Sequence, residues 1–121
     1  MIGLTLQDGI GSEYSGKDRA TEDAITINGK AYKLNKSKLT INHADQMAQR
    51  TLETSKGVFT GRECRLTYTP QHYAYDGLNL GVVAFMQDMT YGYYNGKCVV
   101  EGKIVKIENM WGLMETVHTR L

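Results

Sequence analysis

Residues Asp18–Leu34 read DRATEDAITINGKAYKL, and what they form settles the class of the whole chain. β-branched residues alternate with smaller ones up to Asn28-Gly29, and a second alternating run follows. Asn-Gly between two such runs is a strong hairpin signal, because a type I′ turn needs positive φ at both central residues. Asp23–Asn28 is therefore expected to turn and pair with Lys30–Asn35. The stretch just upstream, DGIGSEYSGKDR at Asp8–Arg19, contains two near-matches to phosphate cradles. Gly9-x-Gly11 begins a dinucleotide fingerprint, and Gly11, Gly16 and Lys17 have P-loop spacing. Both motifs work by letting backbone N–H groups approach phosphate at the mouth of a helix. Tyr14 stands where the fingerprint needs its third glycine. Asp18 stands where the P-loop needs Ser or Thr for magnesium, and a hairpin follows where a long helix is required. The segment reads as a glycine-rich loop between strands, and no nucleotide site is expected.

Working outward, the same period-two pattern recurs. Met1–Leu6, Lys38–Ile41, Arg50–Ser55, Glu63–Thr69 and Lys103–Glu108 read as strands, with Pro70 ending the fourth. Leu78–Met86 is apolar throughout and reads as a strand buried on both faces. Met89–Asn95 and Lys97–Glu101 read as a second hairpin around Asn95-Gly96. Asn42–Gln49, with Asn42 as N-cap and Ala44, Met47 and Ala48 at helical spacing, fits one or two helical turns. The tail MWGLMETVHTRL, Met110–Leu121, fits two patterns. As a helix it would align Trp111, Met114, Val117 and Leu121. As a strand it would set Leu113, Glu115 and Val117 opposite Met114, Thr116, His118 and Arg120. Thirteen glycines with one proline, and many Thr, Val, Ile and Tyr, suit sheets with tight turns. Eight or nine strands indicate an antiparallel sheet, a sandwich or a barrel.

The 121 residues suit one domain, 1–121. A net charge of +1 without a basic cluster argues against nucleic acid. The longest apolar run is far too short for a membrane span, and no signal peptide is visible. Cys64 and Cys98 lie far apart with no C-x-x-C spacing, so free thiols in a reducing, cytoplasmic setting are expected. His43, His72 and His118 make no convincing metal set, no cofactor motif is complete, and no G-x-S-x-G elbow is present. Glu22 and Asp23 point to opposite faces of a strand, so one of them can be buried, most simply in a structural salt bridge with Arg65 or Arg120. Glu115 and His118 are the best acid/base pair by type, but they share a face only if the tail is helical. Tyr91, Tyr93 and Tyr94 are placed to line a ligand cavity, although such residues also suit any half-buried sheet surface.

The segments GLTLQDGIG, ATEDAITINGKAYKL, RLTYTP, NLGVV, YGYYNGKCVV and MWGLMETVHTR occur in one order. That order is similar to the C-terminal part of the bacterial family called domain of unknown function 2804. The resemblance implies a closing strand for the tail and a lipocalin-like, calycin-type antiparallel barrel or half-barrel with at most one short helix. It also suggests distant kinship with hydroxyneurosporene synthase. Carried over motif by motif, it marks Ala20, Thr21, Glu22, Asn28, Gly29, Lys30, Thr69, Pro70, Asn79, Gly92, Gly96, Gly112, Glu115, His118 and Arg120. Asp23 stands where that family usually has Asn, QDMTYG lacks a histidine near Asp88, and Leu121 replaces an aromatic.

Three readings of function follow. The first is a binding domain for a lipophilic small molecule in a barrel cavity, with Asn79, Tyr91, Tyr93 and Arg120 as lining residues. The second is an enzyme of the hydratase, isomerase or cyclase kind using Glu22, Glu115 and His118. The third is a structural half-domain. Because the resemblance is to part of a longer chain, unpaired sheet edges and self-association are expected.

Overall fold

The computed structural model describes residues 1–6, 23–54, 59–79 and 84–120. The glycine-rich stretch, Glu22 and residues 80–83 lie outside the described residues. Eight strands are present among them: β1 Ile2–Thr5, β2 Ala24–Ile27, β3 Lys30–Lys33, β4 Ser37–Thr40, β5 Arg50–Thr54, β6 Arg62–Asn79, β7 Ala84–Val100 and β8 Lys103–Arg120. They form two antiparallel sheets, β1-β2-β3 and β4-β5-β6-β7-β8. The all-β expectation holds, and the tail is a strand.

Of the barrel and half-barrel alternatives, a closed barrel is not formed among the described strands. Among the described strands β4 pairs only with β5 and β8 only with β7, so the larger sheet stays open. The strand lengths explain this. β6, β7 and β8 have 17 or 18 residues while β4 and β5 have 4 and 5. The three long strands make a ribbon roughly 55–60 Å long, and its distal half runs past any short strand that could close it.

The hairpin at Asn28-Gly29 forms as expected, with φ of 48° and 85°. Its exit is tied to the larger sheet by buried polar groups. The Asp23 carboxylate accepts from the backbone N–H and the hydroxyl of Ser37 at 3.2 and 3.0 Å. The Asn35 side chain donates to the Phe59 carbonyl and accepts from the Phe59 N–H. These bonds bring Ile25 and Leu34 of the small sheet into one core with Leu52, Cys64, Leu66, Tyr68, Cys98, Val100, Ile107 and Met114.

Several local expectations are corrected. Asn42–Gln49 forms turns, not a helix. The Asn42 side chain accepts the N–H of Ala44 and that of Asp45 accepts the N–H of Met47, so both side chains satisfy local turns instead of capping a helix. β6 continues through Pro70, which sits at a register shift between Pro70 and His72. A bulge is one of the few places where a sheet tolerates proline. Leu78–Met86 is not one strand. Its ends belong to β6 and β7, and Leu78 pairs with Phe85. Asn95-Gly96 is not a turn either, since β7 runs through it. The turn lies at Glu101-Gly102, where φ is 51° and 80°. Gly96 serves a close approach instead: a Cβ there would lie 2.1 Å from the Arg65 carbonyl oxygen.

Cys64 and Cys98 are not free thiols. They face each other in register across β6 and β7 and form a disulfide. Their distance in sequence hid the pairing, which the long ribbon creates. The expectation of a reducing, cytoplasmic setting loses its support with the thiols. No described helix is long and apolar enough to cross a membrane.

Candidate functional site

The core-facing side of the large sheet can be followed row by row along the ribbon. Arg50, Tyr68, Tyr94 and Met110 form one row. Pro70, Gly92 and Gly112 form the next, then Tyr73, Thr90 and Met114, then Tyr75, Asp88 and Thr116. The glycine row gives the tyrosines room. A Cβ on Gly112 would stand 2.7 Å from the Tyr94 ring. The Tyr68 hydroxyl reaches along the ribbon to donate to Thr90 Oγ1 at 2.8 Å, and the Tyr94 hydroxyl donates to the Leu113 carbonyl at 2.9 Å. The Tyr68 and Tyr94 rings are tilted against each other with centroids 4.6 Å apart.

Arg50 is the unusual member of this cluster. Its side chain is only 1% exposed. Nη2 donates to the backbone and side-chain oxygens of Gln46 at 2.8 and 3.0 Å, but the buried Nε has no hydrogen-bond partner. No described carboxylate forms an ion pair with it; Arg62 and Glu101 form the ion pair that is present, near the surface. The Tyr68 ring, 5.6 Å from the guanidinium carbon, is its nearest aromatic compensation. Burial holds the Arg50 pKa below its usual value, opposed by Tyr68, Tyr94 and Asp88. Burial also raises the Tyr68 pKa, against the Thr90 hydrogen bond and Arg50, and raises that of Tyr94 well above the usual phenol range. Both phenols are therefore neutral at ordinary pH.

Past Thr90 the same side of the ribbon opens. Tyr73 and Tyr75 are 44% and 59% exposed, and the Tyr73 hydroxyl donates to the Asp88 carboxylate. That hydrogen bond pushes the Tyr73 pKa up. Arg50, Tyr68, Tyr94 and Thr90 thus form a buried polar end, continuous with an exposed surface bearing Tyr73, Tyr75 and Asp88.

Of the sequence-predicted residues, Tyr91, Tyr93 and Glu115 lie on the side of the sheet away from Arg50. Glu22 lies outside the described residues. Glu115 is exposed and pairs with Met89, whereas position 118 pairs with Met86, out of phase with 115. The acid/base pair is separated as the strand alternative requires. Asn79 and Arg120 both stand opposite Ala84 at the distal end of the ribbon. Tyr91 and Tyr93 belong to the opposite side of the sheet, where the Tyr93 ring meets Trp111 edge-on at 5.0 Å. Among the described residues no group of three His, Cys, Asp or Glu is placed to hold a metal. Arg50, Tyr68 and Thr90 went unnoticed in the sequence. The one available signal was Arg50 itself, a cation in phase with Leu52 on a strand whose other inward side chain is apolar.

A family model described as Domain of unknown function (DUF2804) matches residues 2–121. No curated protein and no solved structure matches the chain.

Proposed function

The chain belongs to this family of unknown function, and from that premise we propose that it binds a lipophilic small molecule with an anionic head group on the core-facing side of the long ribbon. One observation carries the reading: Arg50 is a fully buried guanidinium with no ion-pair partner among the described residues and an orphaned Nε. Removing an ion from water without an opposite charge costs roughly several kcal/mol, and buried polar atoms are almost always satisfied. A ligand carboxylate supplies both the charge and the acceptor. It would reach the guanidinium by displacing the half-buried Gln46 side chain. The apolar tail would then lie along Met114, Tyr73 and Tyr75, which already continue the core face outward. This is a lipocalin-like role on an open sheet in place of a barrel cavity.

The test is calorimetric titration of the chain with decanoate and with decanol. Charge-assisted hydrogen bonds stabilise by about 1.5–3 kcal/mol, so decanoate should bind at least about tenfold more tightly. Arg50→Met should remove that preference and leave decanol unchanged. Equal affinities for acid and alcohol, or no binding of either, would refute the reading.

A further inference from the structure

The opposite side of the large sheet carries a second organised surface. Arg65 pairs with Lys97, and Lys97 with Lys106, so three cations stand side by side across β6, β7 and β8. All three are exposed, and none forms an ion pair with another described residue. Like charges directly opposite destabilise a sheet, so the Arg65–Lys97 and Lys97–Lys106 pairs are a cost that Glu53, opposite Arg65, offsets at one end only. Glu53, which pairs with Arg65, and Glu108 border the row without closing a salt bridge to it. The three cations edge a shallow groove at Gly96 together with Asn95 and Glu108.

An aromatic strip stands beside this row on the same side. Tyr93 pairs with Trp111 and Tyr91 with Leu113. Trp111 is 51% exposed, its ring meeting Tyr93 at 71° and His72 at 65°. Leu113 is exposed on one side of the cations and Ile104 on the other. From Lys97 to Tyr93 is four residues, roughly 13 Å along the strand.

We propose that this face docks onto the surface of an anionic lipid bilayer. Indole and phenol rings settle at the headgroup level, with one end apolar and the other wet. Exposed Leu and Ile side chains enter the acyl boundary, and unpaired Lys and Arg are drawn to anionic headgroups. The edge-to-face packing of Trp111 with Tyr93 and with His72 does not present the parallel ring faces that stack nucleobases, so lipid fits the face better than single-stranded nucleic acid. The proposal is independent of the ligand reading on the other side of the sheet.

Trp111 is the chain's single tryptophan, so its emission reports on this face alone. The full chain is mixed with vesicles of phosphatidylcholine, and with vesicles that also contain phosphatidylglycerol. The expected result is a blue shift with the anionic vesicles, partition at least about tenfold stronger than to neutral ones, and release by high salt. The exposed double variant Lys97→Gln/Lys106→Gln should keep the wild-type circular dichroism and lose binding by about tenfold or more. Trp111→Ser, followed by co-sedimentation, should also bind more weakly. No shift with either vesicle, equal partition to both, or a shift produced instead by inorganic phosphate or by a single-stranded oligonucleotide would overturn the proposal.

Discussion

Arg50 is in phase with Leu52 along β5, so two-residue alternation sends a cation where an apolar side chain would ordinarily go. If that cation serves a ligand and not the fold, an apolar side chain of similar length should be tolerated without ligand. Arg50→Met is expected to leave the thermal midpoint unchanged or to raise it, because a buried unpaired charge is removed while volume is kept. Arg50→Ala should cost about 2–4 kcal/mol through the cavity it leaves. A loss in Arg50→Met as large as in Arg50→Ala would mean that the bond to Gln46 holds the fold, and the ligand role would fall. The neighbouring phenols add a pH dependence. Tyr68 and Tyr94 have pKa values raised above the unfolded value of 10.0. The folded state therefore holds these protons more tightly, and stability decreases as pH rises past the unfolded value. Urea midpoints should be flat below that pH and decline above it; a midpoint that rises there would contradict the burial of these rings. Gly96, φ 144°, admits no side chain against the Arg65 carbonyl. Gly96→Ala should therefore cost about 2–3 kcal/mol in a denaturant titration.

At the scale of elements, β6 and β7 are joined twice, by their ladder and by the Cys64–Cys98 disulfide. The bridge closes a separation of 34 residues, for which the loop-entropy model gives about 3–4 kcal/mol. Reduction should lower the urea midpoint accordingly. Alkylation under denaturing, non-reducing conditions should leave both cysteines unmodified; labelling of either one would exclude the bridge. The ribbon also shows what the sequence could and could not reveal. Asn28-Gly29 was legible because the same dipeptide meets both demands of a type I′ turn, and its flanking runs are short. The tail fits both periods, and the family resemblance, not its alternation alone, points to the strand that forms. Asn95-Gly96 misled because a glycine also marks a bulge or a close backbone approach, and only the partner strand distinguishes these. Pro70 misled for the same reason: whether proline ends a strand or rests in a bulge depends on the strand beside it. The cysteine pairing and the Arg50 cluster rest on contacts between residues far apart in sequence, which periodicity cannot supply. Positions 115 and 118 are out of phase along β8, which periodicity shows once the strand is chosen.

Among the described residues the large sheet has two differently equipped sides, one meeting the small sheet and one that no described strand covers. Among the described strands β8 is an 18-residue edge paired only with β7. Long edges are templates for another copy of the same chain. Two-fold pairing of β8 with β8 would extend the sheet and leave both sides available. Light scattering at micromolar concentration should then give twice the 13.6 kDa of one chain, whereas a monomer would show that the edge is tolerated. Membership of the DUF2804 family places the chain without supplying an activity, so the account of function stands on the buried guanidinium. The Arg50 Nε–H resonance in a proton–nitrogen correlation spectrum addresses it directly. Adding decanoate should move that resonance to a hydrogen-bonded position, with saturation, and decanol should not. An Nε–H resonance that stays in place, while amides elsewhere shift, would contradict the proposal that Arg50 holds the head group of a bound ligand.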